Sequence, residues 1–381
     1  MNEDRSARYH KLGRRAAIVS TAWSAGLLLL LAATPASLWL RGVAERIAAL
    51  SSPSWLFPSA VVLAYVALLA LIHEIGAVPI SFYRSYLLEH RYDLSTETIG
   101  GWVIDQLKGG ALGAVLSFAG CSLLYLAMRT SPGWWWAIAA AGFAAMAVVL
   151  TQLAPVLLLP IFFTFRPLGR PELRERLLEL SRRAGVAVTD ACEWQVSDKT
   201  RKANAALAGL GRTRRVLISD TLLASHPDEE IELILAHELG HQVRHDLWRG
   251  IAVQTLVMAL GLFVASRVMG ALAPGLGWFG VADVAGLPVL LLAVGLLSLV
   301  LLPVVNALSR SMERAADRFA VELTGNAVAF ATAMQRLGVQ NLAEERPSRL
   351  ARWLFYTHPP VAERIAAARR WADSHQPPAG S

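Results

Sequence analysis

Long runs of apolar residues with almost no ionisable side chains constrain this chain more than any other feature of its sequence. A run of about 20 such residues can cross the hydrocarbon layer of a membrane as a helix. Six runs reach that length, near residues 16–40, 56–80, 109–128, 134–164, 250–272 and 286–308. Only 17% of the 381 residues are charged, against roughly a quarter in soluble domains. The sequence therefore predicts a mainly α-helical, polytopic membrane protein with about six transmembrane helices and the lipid bilayer as a partner.

The apolar runs divide the chain into four parts. An N-terminal membrane domain, 1–164, holds four spans, and a polar part, 165–249, follows it. Two further spans lie in 250–308, and a C-terminal polar part covers 309–381. The two polar parts are the stretches long enough to form a catalytic domain, so we expect them to fold together although two spans separate them in sequence.

Basic residues predict the orientation in the membrane, because loops rich in lysine and arginine stay on the cytoplasmic side. Such residues precede the first span and flank the polar part 165–249, whereas the alternate loops have few. We therefore expect both termini and 165–249 to face the cytoplasm. The net charge of +7 is spread over these flanks and not gathered on one element, so nucleic acid is not an expected partner. The two cysteines, Cys121 and Cys192, indicate no disulfide framework.

A metal-binding pattern lies in the first polar part. His237-Glu238-Leu239-Gly240-His241 follows a predicted helix start rich in Asp and Glu, and helix continues to Arg244. On a helix His237 and His241 are one turn and about 40° apart, so both imidazoles can reach one zinc ion. Zinc activates a water molecule, and Glu238 is then the expected general base. A chance occurrence of this short pattern on an amphipathic helix is the alternative interpretation.

The third metal ligand is expected after the last span. The stretch 308–320 is predicted to be a helix on which Glu313 and Asp317 share one face. Glu313 is the candidate ligand, and Asp317 is the candidate partner that orients a ligating histidine through its other ring nitrogen. By itself, an acidic pair at this spacing is more often a solvated helix face.

Several short motifs make the chain resemble the type I CAAX prenyl proteases, which are integral-membrane zinc endopeptidases of the gluzincin type. The resemblance covers nearly the whole chain after the first span. It is carried by residues 79–83, 89–92, 105–108, 155–160, 165–168, 204–205 and 215–223, by the His237–His241 motif with the Glu313/Asp317 helix, and by Tyr356-Thr357-His358-Pro359-Pro360 with Glu363-Arg364. It implies a ring of helices around a large chamber, with zinc at its cytoplasmic end.

The resemblance also implies roles for Asn204 and His358, which match residues thought to bind the substrate carbonyl or its oxyanion. A turn residue and a capping residue are the alternatives for these two positions. Residues 205–210 and 215–219 are predicted to be two strands joined through 211–214. An exposed edge of such a small sheet or hairpin could bind an extended peptide as a further strand.

Other polar residues are interpreted by their positions. His73 and Glu74 interrupt the second apolar run, and we expect them to line a cavity. His245 and Asp246 are expected to end the motif helix and not to bind metal. His226 and His90 are expected at the surface.

Three functional hypotheses follow. The first is a membrane-embedded zinc endopeptidase of the CAAX prenyl protease type that cuts peptides or protein tails, with CAAX-like or prenylated substrates among the candidates. The second is a quality-control protease like the HtpX group, and the third is a non-catalytic scaffold that binds peptides. Intact Glu238 argues against the third. No endoplasmic reticulum retrieval signal is found, which favours a bacterial inner membrane.

Overall fold

The computed structural model describes residues 2–209 and 211–375. Within that part of the chain, six helical stretches are long and apolar enough to cross a membrane. They are Arg5–Ala33, Phe57–Arg91, Ile99–Thr130, Trp135–Phe162, Asp246–Gly275 and Val284–Thr324. The predicted fold class, mainly helical with about six spans and a small sheet, is confirmed. The stretches are longer than the apolar runs because polar residues continue most of them past the hydrophobic part.

The elements are the helices α1 (Asn2–Ala33), α2 (Ala36–Ser51), α3 (Phe57–Ser81), α4 (Leu88–Arg91), α5 (Ile99–Thr130), α6 (Trp135–Leu153), α7 (Leu159–Phe162), α8 (Pro171–Arg183), α9 (Asp220–Ser225), α10 (Asp228–Val243), α11 (Asp246–Leu272), α12 (Leu287–Thr324), α13 (Ala327–Gln340), α14 (Arg349–Phe355) and α15 (Val361–Ser374), and the strands β1 (Thr164–Pro167), β2 (Asp190–Gln195), β3 (Ala205–Ala208) and β4 (Arg215–Ser219). Two π-helical segments, Phe82–Leu87 and Ala154–Leu158, join α3 to α4 and α6 to α7.

The first predicted span, 16–40, does not match one helix. Helix α1 ends at Ala33, and Pro35 separates it from α2. Proline lacks the N–H that a continuing helix needs, and it disfavours helical backbone in the residue before it. Helix α2 then packs on α3, and its Ser37 hydroxyl donates to the Ala285 carbonyl at 2.7 Å. The apolar run therefore covers the end of one span and the start of a separate helix.

The six spans close into a ring. Going round it, α1 contacts α3, α3 contacts α5, α5 contacts α6, α6 contacts α11, α11 contacts α12, and α12 contacts α1. Buried apolar residues such as Tyr65, Tyr125 and Trp135 form the core between these helices. Apolar side chains on other faces, such as Leu29 and Leu71, are mostly exposed, as expected of lipid-facing positions.

A four-stranded sheet lies in the polar part of the chain, with strand order β1-β2-β4-β3. β2 and β4 run parallel, and β3 pairs with β4 antiparallel, Ala205 opposite Ile218. The predicted pair of strands is therefore present as β3 and β4. β3 is an edge strand, and it packs against α10.

The core of the polar part joins both sides of the chain. Leu177 of α8, Ile218 of β4, Leu235 of α10 and Phe330 of α13 are fully buried in one cluster. Helix α10 packs along α12, and α15 packs on α13 and α12. The residues before α11 and those at the end of α12 thus form one folded unit, which places the motif helix beside the Glu313 helix.

Candidate metal centre

Helix α10 carries the first two candidate ligands. It begins at Asp228 after Pro227, and its first turn holds Asp228, Glu229 and Glu230 at the positive end of the helix dipole. The imidazoles of His237 and His241 meet with their Nε2 atoms 3.2 Å apart. The sequence spacing therefore places two ring nitrogens side by side, as a shared metal requires.

Helix α12 brings Glu313 to these two imidazoles. Its carboxylate oxygens lie 3.3 Å from His237 Nε2 and 3.4 Å from His241 Nε2. Four ligands at the usual zinc distances of about 2.0–2.2 Å, in a tetrahedron, stand about 3.3–3.6 Å apart. Glu313 Oε2 is also buried without a hydrogen-bond partner in the described part of the chain. The three side chains therefore fit one face of a tetrahedral zinc site.

Two more carboxylates hold the outer nitrogens of the histidines. His237 Nδ1 lies 2.9 Å from Asp317 Oδ1, and His241 Nδ1 lies 3.0 Å from Asp246 Oδ2. A carboxylate at Nδ1 keeps the proton on that nitrogen and leaves Nε2 free to bind a metal ion. Asp317 contacts a candidate ligand histidine, as the sequence predicts for it. Asp246 supplies the same kind of contact to the other ring.

Arg364 of α15 completes this outer layer. Its Nε donates to Asp317 Oδ2 at 2.9 Å, and its Nη2 lies 3.3 Å from His237 Nδ1. Burial lowers the pKa of this guanidinium, but the charge and hydrogen bonds of Asp317 outweigh burial and raise it. The buried charge of Asp317 is therefore paired, which is the condition for a carboxylate to remain ionised away from water.

The charges of the site shift the pKa values of the residues on α10. Burial lowers the pKa of His237, but its contacts with Asp317 and Glu313 outweigh burial and raise the pKa to about 9. Burial raises the pKa of Glu238, against the opposing effect of His237 and His241. The carboxylates thus favour positive charge at the histidines, and a raised pKa brings Glu238 closer to the range of an effective general base.

The contact between α10 and α12 depends on Gly240. A Cβ atom at this position would stand 3.0 Å from Ala316 Cα and 3.2 Å from the Ala316 carbonyl oxygen. Such contacts are with backbone, which cannot rotate away. The absence of a side chain at Gly240 therefore allows the two helices to approach closely enough for Glu313 to reach the histidines.

His358 also reaches this group of residues. Its Nε2 lies 3.2 Å from Glu313 Oε1. Burial lowers the pKa of His358, against the charge of Glu313, which raises it. The segment before it is fixed by Arg310 of α12, whose Nη1 donates to the carbonyl oxygens of Arg352 at 3.0 Å and Tyr356 at 2.7 Å. The helix that carries Glu313 thus also positions the loop that carries His358.

Asn204 stands immediately before the edge strand β3. Its backbone N–H donates to Ser219 Oγ at 2.9 Å, and its carbonyl accepts from the Ser219 N–H at 2.9 Å. The side chain is exposed. The backbone is thus fixed by β4, and the side chain is available beside a strand edge that packs on α10.

Two cavities are lined by His358 or by the candidate ligands. One of about 1030 Å³ is bounded by α1, the helix 57–91 and the loop of Thr357 and His358. The other, of about 370 Å³, lies between α11 and α12 and is lined by His241 and Glu313. Thr357 lines both. Glu74 lines the larger cavity, whereas His73 is held by a contact of its Nε2 with Ser24 Oγ at 2.9 Å.

Four positions differ from what the sequence predicts or have no role predicted from it. His226, expected at the surface, is only 4% exposed, and His90 is half-buried with both ring nitrogens near backbone carbonyl oxygens. Asp246 was expected only near a helix end, and it does begin α11, but it also contacts His241. The sequence motif that contains Arg364 predicts no role for it, since nothing local in sequence connects it to Asp317.

Family models match both halves of the chain. The model of peptidase family M48 matches residues 167–372, and that of the CAAX prenyl protease N-terminal region, five membrane helices, matches residues 2–164. The chain belongs to peptidase family M48. Four of the candidate spans of this M48 protein lie within the N-terminal match, together with α2.

Known relatives agree with this membership. The M48 chain is 31% identical over 311 residues to "Uncharacterized metalloprotease YhfN" of Bacillus subtilis, covering 80% of this chain and 72% of that protein. It is 28% identical over 301 residues to "CAAX prenyl protease 1 homolog" of Arabidopsis thaliana, covering 77% and 70%. The protein is therefore an integral-membrane metalloendopeptidase of the CAAX prenyl protease type.

A solved structure shares the fold. The crystal structure of S. mikatae Ste24p is similar over 96% of this chain and 88% of its own, with a TM-score of 0.83 and 21% sequence identity. The likeness shows a common arrangement of membrane helices and peptidase domain.

Proposed function

We propose that this M48 protein is a zinc-dependent endopeptidase in which His237, His241 and Glu313 hold the metal and Glu238 is the general base. The observation that carries the proposal is the convergence of the two Nε2 atoms and the Glu313 carboxylate at 3.2–3.4 Å. Zinc bound there supplies a Lewis acid that polarises the scissile carbonyl and lowers the pKa of water. Asp317 and Asp246 orient the histidines for that role.

The remaining steps belong to protein side chains. The Glu238 carboxylate takes a proton from the attacking water and delivers it to the nitrogen of the leaving amine. His358 Nε2 and the Asn204 side chain donate hydrogen bonds to the carbonyl oxygen as negative charge develops there. The edge of β3 pairs with the extended peptide and aligns it along α10.

The substrate is a peptide or the tail of a protein, and the CAAX-type or prenylated peptides named by the relatives are the first candidates. The match of residues 2–164 to the CAAX prenyl protease N-terminal region supports this over a quality-control protease of the HtpX type. We further propose that the termini and the metal centre face the cytoplasm, on the basis of the basic residues that flank the spans. The membrane is proposed to be a bacterial inner membrane.

The test is cleavage of a farnesylated CAAX reporter peptide by the purified full-length protein in detergent. Glu238→Gln should keep one zinc per chain and lose cleavage by a factor of about 10²–10⁴, since general-base catalysis contributes that much. Unchanged turnover in this variant would rule out the mechanism. An unfolded membrane protein serves as the second substrate. If it alone is cut, the quality-control function is the correct one.

A further inference from the structure

Arg84 differs from the other arginine and lysine side chains that line the cavity of about 1030 Å³. Arg14 is paired with Glu344, and Lys202 Nζ lies 2.7 Å from Glu89 Oε2. Within residues 2–209 and 211–375, Arg84 has no ion-pair partner. The guanidinium therefore faces a wet cavity with its charge available to a ligand.

The backbone at Arg84 is held in a fixed place. The residue lies in the π-helical segment Phe82–Leu87, and such segments are frequent at functional sites. The ring of Phe82 stacks on Tyr86 at a centroid distance of 5.1 Å and meets Trp102 edge-on at 5.0 Å. The Trp102 indole also donates to Ser85 Oγ at 2.9 Å. These contacts fix the backbone at Arg84, while its exposed side chain lines the cavity.

The chemistry of the cavity favours an anion at this point. Glu89 is neutralised by Lys202, and Glu74 lies ten residues earlier on the same helical stretch, about 15 Å away along a helix axis. A guanidinium binds a carboxylate through two parallel hydrogen bonds. His358 lines the same cavity and lies 3.2 Å from Glu313. One occupant of the cavity can therefore contact both His358, which lies beside Glu313, and Arg84.

We propose that Arg84 binds the C-terminal carboxylate of the peptide substrate. The proposal rests on the proposed peptidase function and assigns to Arg84 the recognition of the substrate's free C-terminus. The distance between Arg84 and the metal centre then sets how many residues follow the cleaved bond. An acidic side chain within the peptide carries the same group and is the alternative source of the carboxylate.

The test compares three peptides of one sequence: a C-terminal acid, the C-terminal amide, and an amide with one internal Glu. Wild-type protein should cut the acid with kcat/KM about tenfold to a hundredfold above that of either amide, because charge-assisted hydrogen bonds are the strong ones. Arg84→Gln should lower kcat/KM for the acid peptide to the value for the amide peptide, by raising KM. For Arg84→Lys, kcat/KM for the acid peptide should lie between the values of the wild type and Arg84→Gln. Mass spectrometry should show one released fragment for the acid.

Arg91→Gln is the matched control, since Arg91 is exposed, lies on the same helical stretch and does not line the cavity. It should leave all three rates unchanged. Equal rates for acid and amide in the wild type, or an equal loss on both in Arg84→Gln, would overturn the proposal. Preference for the amide with internal Glu would assign Arg84 to an acidic side chain instead.

A binding measurement separates this proposal from the proposed function. The zinc-loaded Glu238→Gln protein is titrated with fluorescent acid and amide peptides, with and without Arg84→Gln. Tighter binding of the acid that disappears in the double variant supports Arg84 even if no peptide is cut. Equal affinities for acid and amide overturn it even if the wild-type protein is an active peptidase.

Discussion

At the scale of single residues, the proposed metal centre includes carboxylates that contact the candidate histidine ligands and are not themselves candidate ligands. Asp246 holds His241 Nδ1 at 3.0 Å. We expect Asp246→Ala to weaken zinc binding by about tenfold to a hundredfold, because loss of a carboxylate behind a ligating histidine has that cost. Competition with a chromophoric chelator measures the affinity of the full-length protein in detergent.

Glu229→Ala is the control for this experiment, since Glu229 is an exposed carboxylate in the first turn of α10. It should leave zinc affinity unchanged. Asp246→Asn keeps an oxygen that can accept from Nδ1 and should restore part of the loss. Equal zinc affinity in Asp246→Ala and wild type would show that Asp246 only begins α11.

His226 predicts a pH dependence of stability. Burial, with help from the charge of Arg336, lowers its pKa to about 4, against about 6.5 in the unfolded chain. Arg336 is paired with Glu230 at 3.0 Å, and Ser225 Oγ lies 2.9 Å from His226 Nδ1. Between these two pKa values the unfolded chain binds more protons than the folded chain. The contribution of neutral His226 to the free energy of unfolding is therefore fully present above pH 6.5 and is lost as the pH falls toward 4.

Thermal unfolding of wild type and His226→Gln between pH 7.5 and 4.5 measures this effect. From pH 7.5 to 4.5, the free energy of unfolding of the wild type should fall by on the order of 1–3 kcal/mol more than that of the variant. Parallel curves for the two proteins would contradict the shift. The comparison with the variant removes the contribution of all other titrating groups.

The site residues that could be predicted are those that belong to a short-range sequence pattern. His237, Glu238 and His241 lie within one turn and a half of helix, and Glu313 with Asp317 forms a second local pair. In each of the two helices, the spacing of these residues places them on one face. Asp246 needs the left-handed backbone of His245, with φ of 56°, to turn it back toward His241. No short-range pattern shows such a turn.

At the scale of elements, the site depends on how closely α10 and α12 pack. Gly240→Ala would place a Cβ 3.0 Å from Ala316 Cα, so the helices must separate. We expect a loss of about 1–3 kcal/mol in stability, as for other overpacked contacts. Zinc affinity should also fall, since Glu313 moves away with α12. Thermal unfolding and chelator competition measure the two effects.

Gly295→Ala is the matched control, because Gly295 lies on α12 and a Cβ there meets nothing within 4 Å. Alanine in a helix is more favourable than glycine by about 0.5–1 kcal/mol, so this variant should be as stable as wild type or more so. A Gly240→Ala protein with wild-type stability and zinc affinity would show that α12 tolerates the shift.

The existence of the spans was predictable, but their ends and neighbours were not. Apolar runs of sufficient length specify a membrane helix whatever it packs against. Helix ends extend into polar sequence, as in α1, because charged residues such as those before Ala16 are also good helix formers. The neighbours depend on small residues that admit a partner's side chain, such as Gly142 against Leu123 and Gly261 against Val294. Such contacts leave no periodic signal.

At the scale of the whole molecule, the metal centre and the membrane ring are one structure. α12 supplies Glu313 at one end and, along its apolar length, contacts α1 and α11 in the ring. α10 leads into α11 through only Arg244 and His245. Loss of ring packing would therefore displace Glu313 from the two histidines.

This dependence predicts that the first polar part does not bind zinc on its own. A polypeptide of residues 165–249 keeps His237, Glu238 and His241 but lacks Glu313 and Asp317. We expect its zinc affinity to be at least a hundredfold below that of the full-length protein, because two imidazoles without the carboxylate leave the ligand set incomplete. Chelator competition on both proteins gives the comparison.

Full-length Glu313→Ala distinguishes loss of the ligand from failure of the fragment to fold. If this variant keeps the thermal stability of the zinc-free wild type yet binds zinc as weakly as the fragment, the third ligand accounts for the difference. A fragment that binds zinc as tightly as the full-length protein would mean that 165–249 contains a complete site. In that case the membrane helices would serve to deliver the substrate and not to assemble the metal centre.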